Sequence, residues 1–117
     1  MARFTRLTVW HQARELTRMV SSATRDMRSE GDLKTQMRRA AISVVSNIAE
    51  GSEHGSDREF RRFLVIANAS AAEVEAQAII AGDIDCVDRE TSDRIAEQCR
   101  HVGRMINRLM ARLDCSG

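Results

Sequence analysis

The chain has 117 residues, a formal net charge of +1 and 30% charged residues, with no proline and only 3% aromatics. That length predicts one domain, residues 1–117, with a real but modest core. The composition suits a helical bundle and excludes a β-sandwich, and the near-neutral charge excludes a global electrostatic pull toward nucleic acid.

The opening, MARFTRLTVW, has no continuous apolar stretch and so does not read as a signal peptide. No apolar run reads as long enough to span a bilayer. The expected location is the cytoplasm, with no membrane partner. A first helix is predicted from about Thr8 to about Met27, because Val9, Ala13, Leu16, Val20, Ala23 and Met27 step by four and three along one seam. Trp10 lies on its flank and reads as a packing anchor. A loop over Arg28 to Gly31 follows.

The second helix is the stretch Gln36 to Gly51 with its lead-in, and a residue advances about 100° around such a helix. Leu33, Met37, Ala40, Ala41, Val44 and Ile48 then share one broad core face. Asp32 is the expected N-cap and Gly51 the expected C′ glycine. Gln36, Ser43, Asn47 and Glu50 form a polar stripe beside the core. A stripe at that edge predicts a hydrogen-bonded seam to a neighbouring helix, since buried polar groups need partners. Ile42, Val45 and Ala49 fall outside the core face, where a simple surface helix would be polar.

The third helix has the clearest start: Ser56 and Glu59 form an S-x-x-E capping box. Phe60, Phe63, Leu64, Ala67, Ala71, Val74 and Ala78 face the core, and Gly82 is expected to end the helix. A second apolar seam, Val65, Ala69, Ala72, Ala76 and Ile80, lies on the other side. A four-helix bundle needs one such face, so the second calls for an external partner. The fourth helix follows Asp88 as N-cap, with Ile95, Cys99, Val102, Ile106, Leu109 and Leu113 as its core stripe. Four amphipathic segments with short connections predict an all-α, antiparallel up-down-up-down four-helix bundle.

Little in the chain points to catalysis. The cysteines Cys86, Cys99 and Cys115 are odd in number and have no C-x-x-C spacing, so neither a disulfide framework nor a zinc knuckle is indicated. Cys99 reads as a buried small hydrophobe, and Cys115 as a thiol near a fraying end. His11, His54 and His101 sit in separate segments without the Glu-x-x-His pairing of metal sites in bundles. No phosphate-binding loop, dinucleotide fingerprint or nucleophile elbow is present. We therefore assign no catalytic residue, no metal and no cofactor. Glu50, Glu73 and Glu75 are the carboxylates that could pair for acid–base work, but capping or bridging helices is the simpler role for them.

Charge placement is more informative. In an up-down bundle one pole collects Arg3, Arg6, Arg58, Arg61, Arg62, Arg104, Arg108 and Arg112, offset in part by Glu50, Glu53, Asp57, Glu59 and Asp114. The other pole carries Asp83, Asp85, Asp88, Glu90 and Asp93. Arg100, Arg104, Arg108 and Arg112 also climb the fourth helix at four-residue steps, a stripe able to follow phosphates. Arg58, Arg61, Arg62, Arg100, Arg104, Arg108 and Arg112 are thus the candidate nucleic-acid contacts. A solvated helix face is the plainer explanation of the same pattern.

The wording of the chain resembles a known family. The residues that carry this are Leu7, Val9, Trp10 and Ala13; Gln36, Arg38, Arg39, Ala40 and Ala41; Ser43 with Asn47-Ile48-Ala49-Glu50-Gly51; and Phe60, Phe63, Leu64, Ala67, Ser70 and Glu73. They resemble the four-helix-bundle proteins encoded by intervening sequences of large-subunit ribosomal RNA genes, relatives of the accessory variability proteins of diversity-generating retroelements. The chain departs from that family in lacking prolines and in having Asn68 where glycine or arginine is common. The resemblance extends the polar seam to Ser70 and Glu73. It implies a ring-like homopentamer, and as partners nucleic acid or a reverse-transcriptase-like protein. The expected oligomer interface is Ile42, Val45 and Ala49 with Ala69, Ala72 and Ala76. The expected function is a non-enzymatic helical oligomer that binds or scaffolds. The alternative is an RNA- or DNA-binding accessory factor that uses the arginine pole.

Overall fold

The structure, a computed structural model, describes residues 3–27 and 30–116, the side chains of Cys115 and Ser116 excepted. The Cys115 thiol and the loop residues Arg28 and Ser29 therefore lie outside the described residues. A short 3-10 turn, Arg3–Arg6, leads into α1 (Thr8–Thr24), α2 (Gly31–Ser52), α3 (Asp57–Asp83) and α4 (Arg89–Ser116). The described residues contain four α-helices and no strand, in an elongated body of 46 × 23 × 19 Å. Close approaches run around the square from α1 to α2, α3, α4 and back to α1, and diagonal helices do not meet backbone to backbone. This is the expected all-α up-down bundle.

The core is two stacked clusters. Toward the arginine pole, Val9, Ala13, Val44, Ile48, Phe60, Leu64, Ala67, Ala71, Val102 and Ile106 pack together. Toward the acidic pole, Leu16, Val20, Met37, Ala40, Ala41, Val74, Ala78, Ala81, Ile95 and Cys99 do the same. Their helical spacing in sequence is the cause, because each stripe must leave water against a neighbour. Trp10 packs on the first cluster as expected, with the Phe4 ring 4.7 Å away and the Arg14 guanidinium 4.8 Å over its face. Leu33 is partly buried against the second cluster.

Helix ends depart from the sequence expectations in instructive ways. α1 stops at Thr24 rather than Met27, although Met27 still buries its side chain. The terminator comes from the neighbouring helix: Arg38 donates to Thr24 Oγ1 (2.9 Å) and to the Ser21 carbonyl (3.0 Å), and Lys34 donates to the Arg25 carbonyl (3.3 Å). Cations from α2 thus satisfy the carbonyl end of α1 and complement its dipole. α2 begins at Gly31 after Glu30, so Asp32 is a first-turn residue and not the N-cap. Ser56 does cap α3, accepting from the Glu59 amide at 3.1 Å, and Asp88 caps α4, accepting from Thr91 at 2.7 Å. The Thr91 amide holds the Asp88 carboxyl below its ordinary value.

Neither Gly51, the expected C′ residue, nor Gly82, expected to end α3, takes the left-handed conformation that terminates a helix. Gly51 lies inside α2 and Gly82 inside α3, and no described glycine has positive φ. Both are contact glycines. A Cβ on Gly51 would stand 2.6 Å from Phe63 Cβ, and one on Gly82 would stand 2.6 Å from Ser92 Oγ. The left-handed residue that ends α3 is Asp85, at φ 60°. Cys86 N donates to the Ala81 carbonyl (2.9 Å) and Asp85 N to the Gly82 carbonyl (3.2 Å), the two bonds of a Schellman motif. Aspartate tolerates this conformation better than most residues.

Candidate functional site: the uncovered faces and the arginine pole

The polar stripe of α2 meets α3. Ser43 and Ser70 share a hydroxyl–hydroxyl hydrogen bond of 2.8 Å, and the Asn47 amide donates to the Ser43 carbonyl (2.8 Å) and hydroxyl (3.1 Å). Ser43, Asn47 and Ser70 are half-buried. Glu50 and Glu73 behave differently from the expectation: both are exposed, and neither side chain makes a hydrogen bond or ion pair among the described residues, so the seam is a three-residue motif. Gln36 is exposed as well. Asn47→Ala is expected to lower stability by about 1 kcal/mol, and Ser43→Ala by at least as much, because it removes the hydroxyl partner of Ser70 and one of the two acceptors of the Asn47 amide. Thermal melts of the two variants check both the size and the order.

Sequence reasoning missed several polar contacts that fasten the bundle. Gln98 reaches from α4 to the Gln12 carbonyl (2.9 Å) and side chain (3.0 Å), and Ser92 donates to the Ala78 carbonyl of α3 at 2.8 Å. Gln77 is buried with its Oε1 unpartnered. Nothing in helical periodicity separates these glutamines from ordinary surface ones.

The apolar residues outside the core form two separate faces. Ile42 (53% exposed) and Val45 line a groove of about 270 Å³ between α1 and α2, rimmed by Arg14, Arg18 and Thr17, with half-buried Ala49 one turn further on. Ala69, Ala72 and Ala76 lie on the outer side of α3, flanked by exposed Val65, Ile66, Ile79 and Ile80. Ser43 and Asn47, turned toward α3, stand between the two. The α3 face carries one charge along its middle, Glu73, and it explains a further departure. α3 is apolar on both sides, so by length and composition it reaches what a membrane span requires, although well under half of that stretch is buried in the bundle.

At the arginine pole, most of the expected cationic stripe is matched by carboxylates. Arg61 pairs with Asp114 (2.8 Å) and Arg62 with Glu59 (3.0 Å). Arg100 bonds Glu75 and Glu97, each at 3.0 Å, and Arg104 bonds Glu97 at 3.1 Å. The Arg104 and then the Arg100 guanidinium hold the Glu97 carboxyl below the usual range, and Glu75 and Glu97 raise Arg100 in turn. Exposed pairs like these add little stability, but they do consume the charge of the stripe's first half. Arg58 and Arg108 make no ion pair among the described residues. Arg112 lies beside Arg108 in a groove against the start of α1.

Cys99 is buried, and burial pushes its thiol up to about 12, so it is held as an unreactive core residue. His11 and His54 are exposed and His101 is half-buried; His11 Nε2 lies 2.8 Å from the Thr5 carbonyl, and His54 stacks on Phe63 at 4.9 Å. Among the described residues no three histidine, cysteine, aspartate or glutamate side chains converge as a metal site would require. No curated protein matches the chain. A profile of the 23S rRNA-intervening sequence protein family matches residues 5–108, from the 3-10 turn before α1 to about two turns short of the α4 end. With that match over nearly the whole bundle, the chain belongs to the 23S rRNA-intervening sequence protein family.

Proposed function

We propose that the protein is a non-enzymatic scaffold that acts as a homo-oligomer in the cytoplasm and presents its charged poles to a macromolecular partner. The observation that carries this is the uncovered outer face of α3, where Val65 (47% exposed) and Ile80 (48% exposed) bracket Ala69, Ala72 and Ala76. An apolar face of that extent on a soluble chain marks an interaction surface, and alanines let another helix come close. A second copy fits it. The groove at Ile42 and Val45 is a different patch, and two unlike patches on one chain join head to tail, which gives a ring when the rotation between copies closes. In a ring whose subunits share one axis direction, Arg58, Arg61 and Arg62 at the start of α3 fall at the same pole as Glu50 and Glu53 of a neighbour's α2. The ring size that we take from the family resemblance is five.

Light scattering at micromolar concentration is expected to report an oligomer, and Ala72→Glu to dissociate it while the circular dichroism of the helices persists. A stable monomer for the unaltered chain would end the proposal. A second reading, binding of RNA or DNA, is favoured by unpaired Arg58 and Arg108 at one pole. It requires affinity that falls steeply with salt, and Arg104→Glu with Arg108→Glu should weaken it strongly without changing the oligomer.

A further inference from the structure

The N-terminal turn and the end of α4 enclose a groove of about 370 Å³ that the spacing of arginines in sequence does not reveal. Arg6 comes to it from one end of the chain, and Arg108 and Arg112 from the other. Its floor is apolar, made by Leu7, Met105 and Leu109, all half-buried against the core beneath. No lining residue is acidic. One turn earlier on α4 the situation is opposite: Arg104 and Arg100 are tied to Glu97, and Arg100 also to Glu75. Arg6 and Arg108 have no carboxylate within pairing distance among the described residues. The groove also opens where α1 begins, and α1 has no side-chain cap there and no acidic residue in its first turn, so its dipole adds to the positive potential.

We propose that this groove binds a small phosphate monoester, with the phosphoryl group on Arg6 and Arg108 and the organic body on the Leu7–Met105–Leu109 floor. Guanidinium forks match phosphoryl oxygens in geometry and charge. The volume falls in the range of about 300–1,000 Å³ typical of small-ligand sites. An apolar floor is wasted on a bare inorganic ion and favours an ester whose carbon skeleton or base covers it. The site lies within one subunit, so it stands or falls apart from the assembly proposed above.

Calorimetric titration of the full chain at low salt with AMP, inorganic phosphate and adenosine tests this. AMP is expected to bind more tightly than phosphate, and adenosine not to bind. Arg6→Gln and Arg108→Gln should each weaken AMP by about tenfold, as loss of a charge-assisted pair does. Arg94→Gln, in the α1–α4 groove toward the opposite pole, should leave it unchanged. Circular dichroism checks that all three variants stay folded. The proposal is overturned by absence of AMP binding, by equal affinity for phosphate and AMP, or by equal loss in the Arg94 variant. It is also overturned if an oligonucleotide lacking terminal phosphates binds as well as AMP and with the same dependence on Arg6 and Arg108, since the groove would then serve a nucleic-acid backbone.

Discussion

Ile48→Ala is expected to destabilise the bundle by about 2–5 kcal/mol, the range for truncating a fully enclosed aliphatic side chain. Ile48 is wholly buried in the cluster toward the arginine pole, where Phe60, Leu64 and Ile106 also pack. Those neighbours sit on α3 and α4, so the vacated volume is walled by separate helices that cannot all close on it. Ile42→Ala, less than two turns earlier on the same helix, removes the same atoms from an exposed position. It should change the stability of the subunit by less than about 0.5 kcal/mol while loosening self-association. Urea titrations at several protein concentrations separate the two effects, because assembly makes apparent stability depend on concentration. A shift of the Ile48 variant's midpoint no larger than that of Ile42 would contradict the assignment of core and outer faces on α2.

Gly51→Ala should cost about 1–3 kcal/mol by overpacking, even though alanine is the better helix former. Gly51 lies inside α2, where its missing side chain lets α3 pass. The added Cβ would stand 2.6 Å from Phe63 Cβ and 3.1 Å from Phe60 Cδ1. Phe63 Cβ is fixed to the α3 backbone, so no rotamer change relieves the clash and the helices themselves must part. Gly55→Ala is the internal control: nothing lies within 4 Å of its added Cβ, and a near-neutral result is expected. Differential scanning calorimetry of the pair decides the matter. A Gly51→Ala variant as stable as the parent would mean that α2 and α3 do not approach as described.

Both variants bear on what the chain's family membership describes and what it does not. The Asn47-Ile48-Ala49-Glu50-Gly51 block combines a seam residue, a core residue and a contact glycine, so three of its positions are explained by the packing of α2 on α3. Ala49 and Glu50 are the exceptions. The Glu50 side chain is exposed and forms no hydrogen bond or ion pair among the described residues, which leaves it available to the neighbouring copy proposed above, at the pole where Arg58, Arg61 and Arg62 begin α3.

The sequence by itself determined the four helices, most residues of each core stripe, the caps at Ser56 and Asp88, and the surplus apolar face of α3. These are local or periodic properties: a 3.6-residue repeat or a hydroxyl three residues before an amide is written in neighbouring positions. Only the tertiary structure decided the rest. It moved Gly51 and Gly82 from helix ends to helix contacts, because a glycine chosen for closeness looks the same in sequence as one chosen for positive φ. It gave the end of α1 to Arg38 and Lys34 of α2, and it neutralised Arg100 and Arg104 through Glu75 and Glu97. It split the expected interface into two faces, and it brought Arg6 beside Arg108 from opposite ends of the chain. Each of these depends on which helix lies beside which and at what height. Amphipathic periodicity limits which way a helix faces, and only packing sets what it meets there.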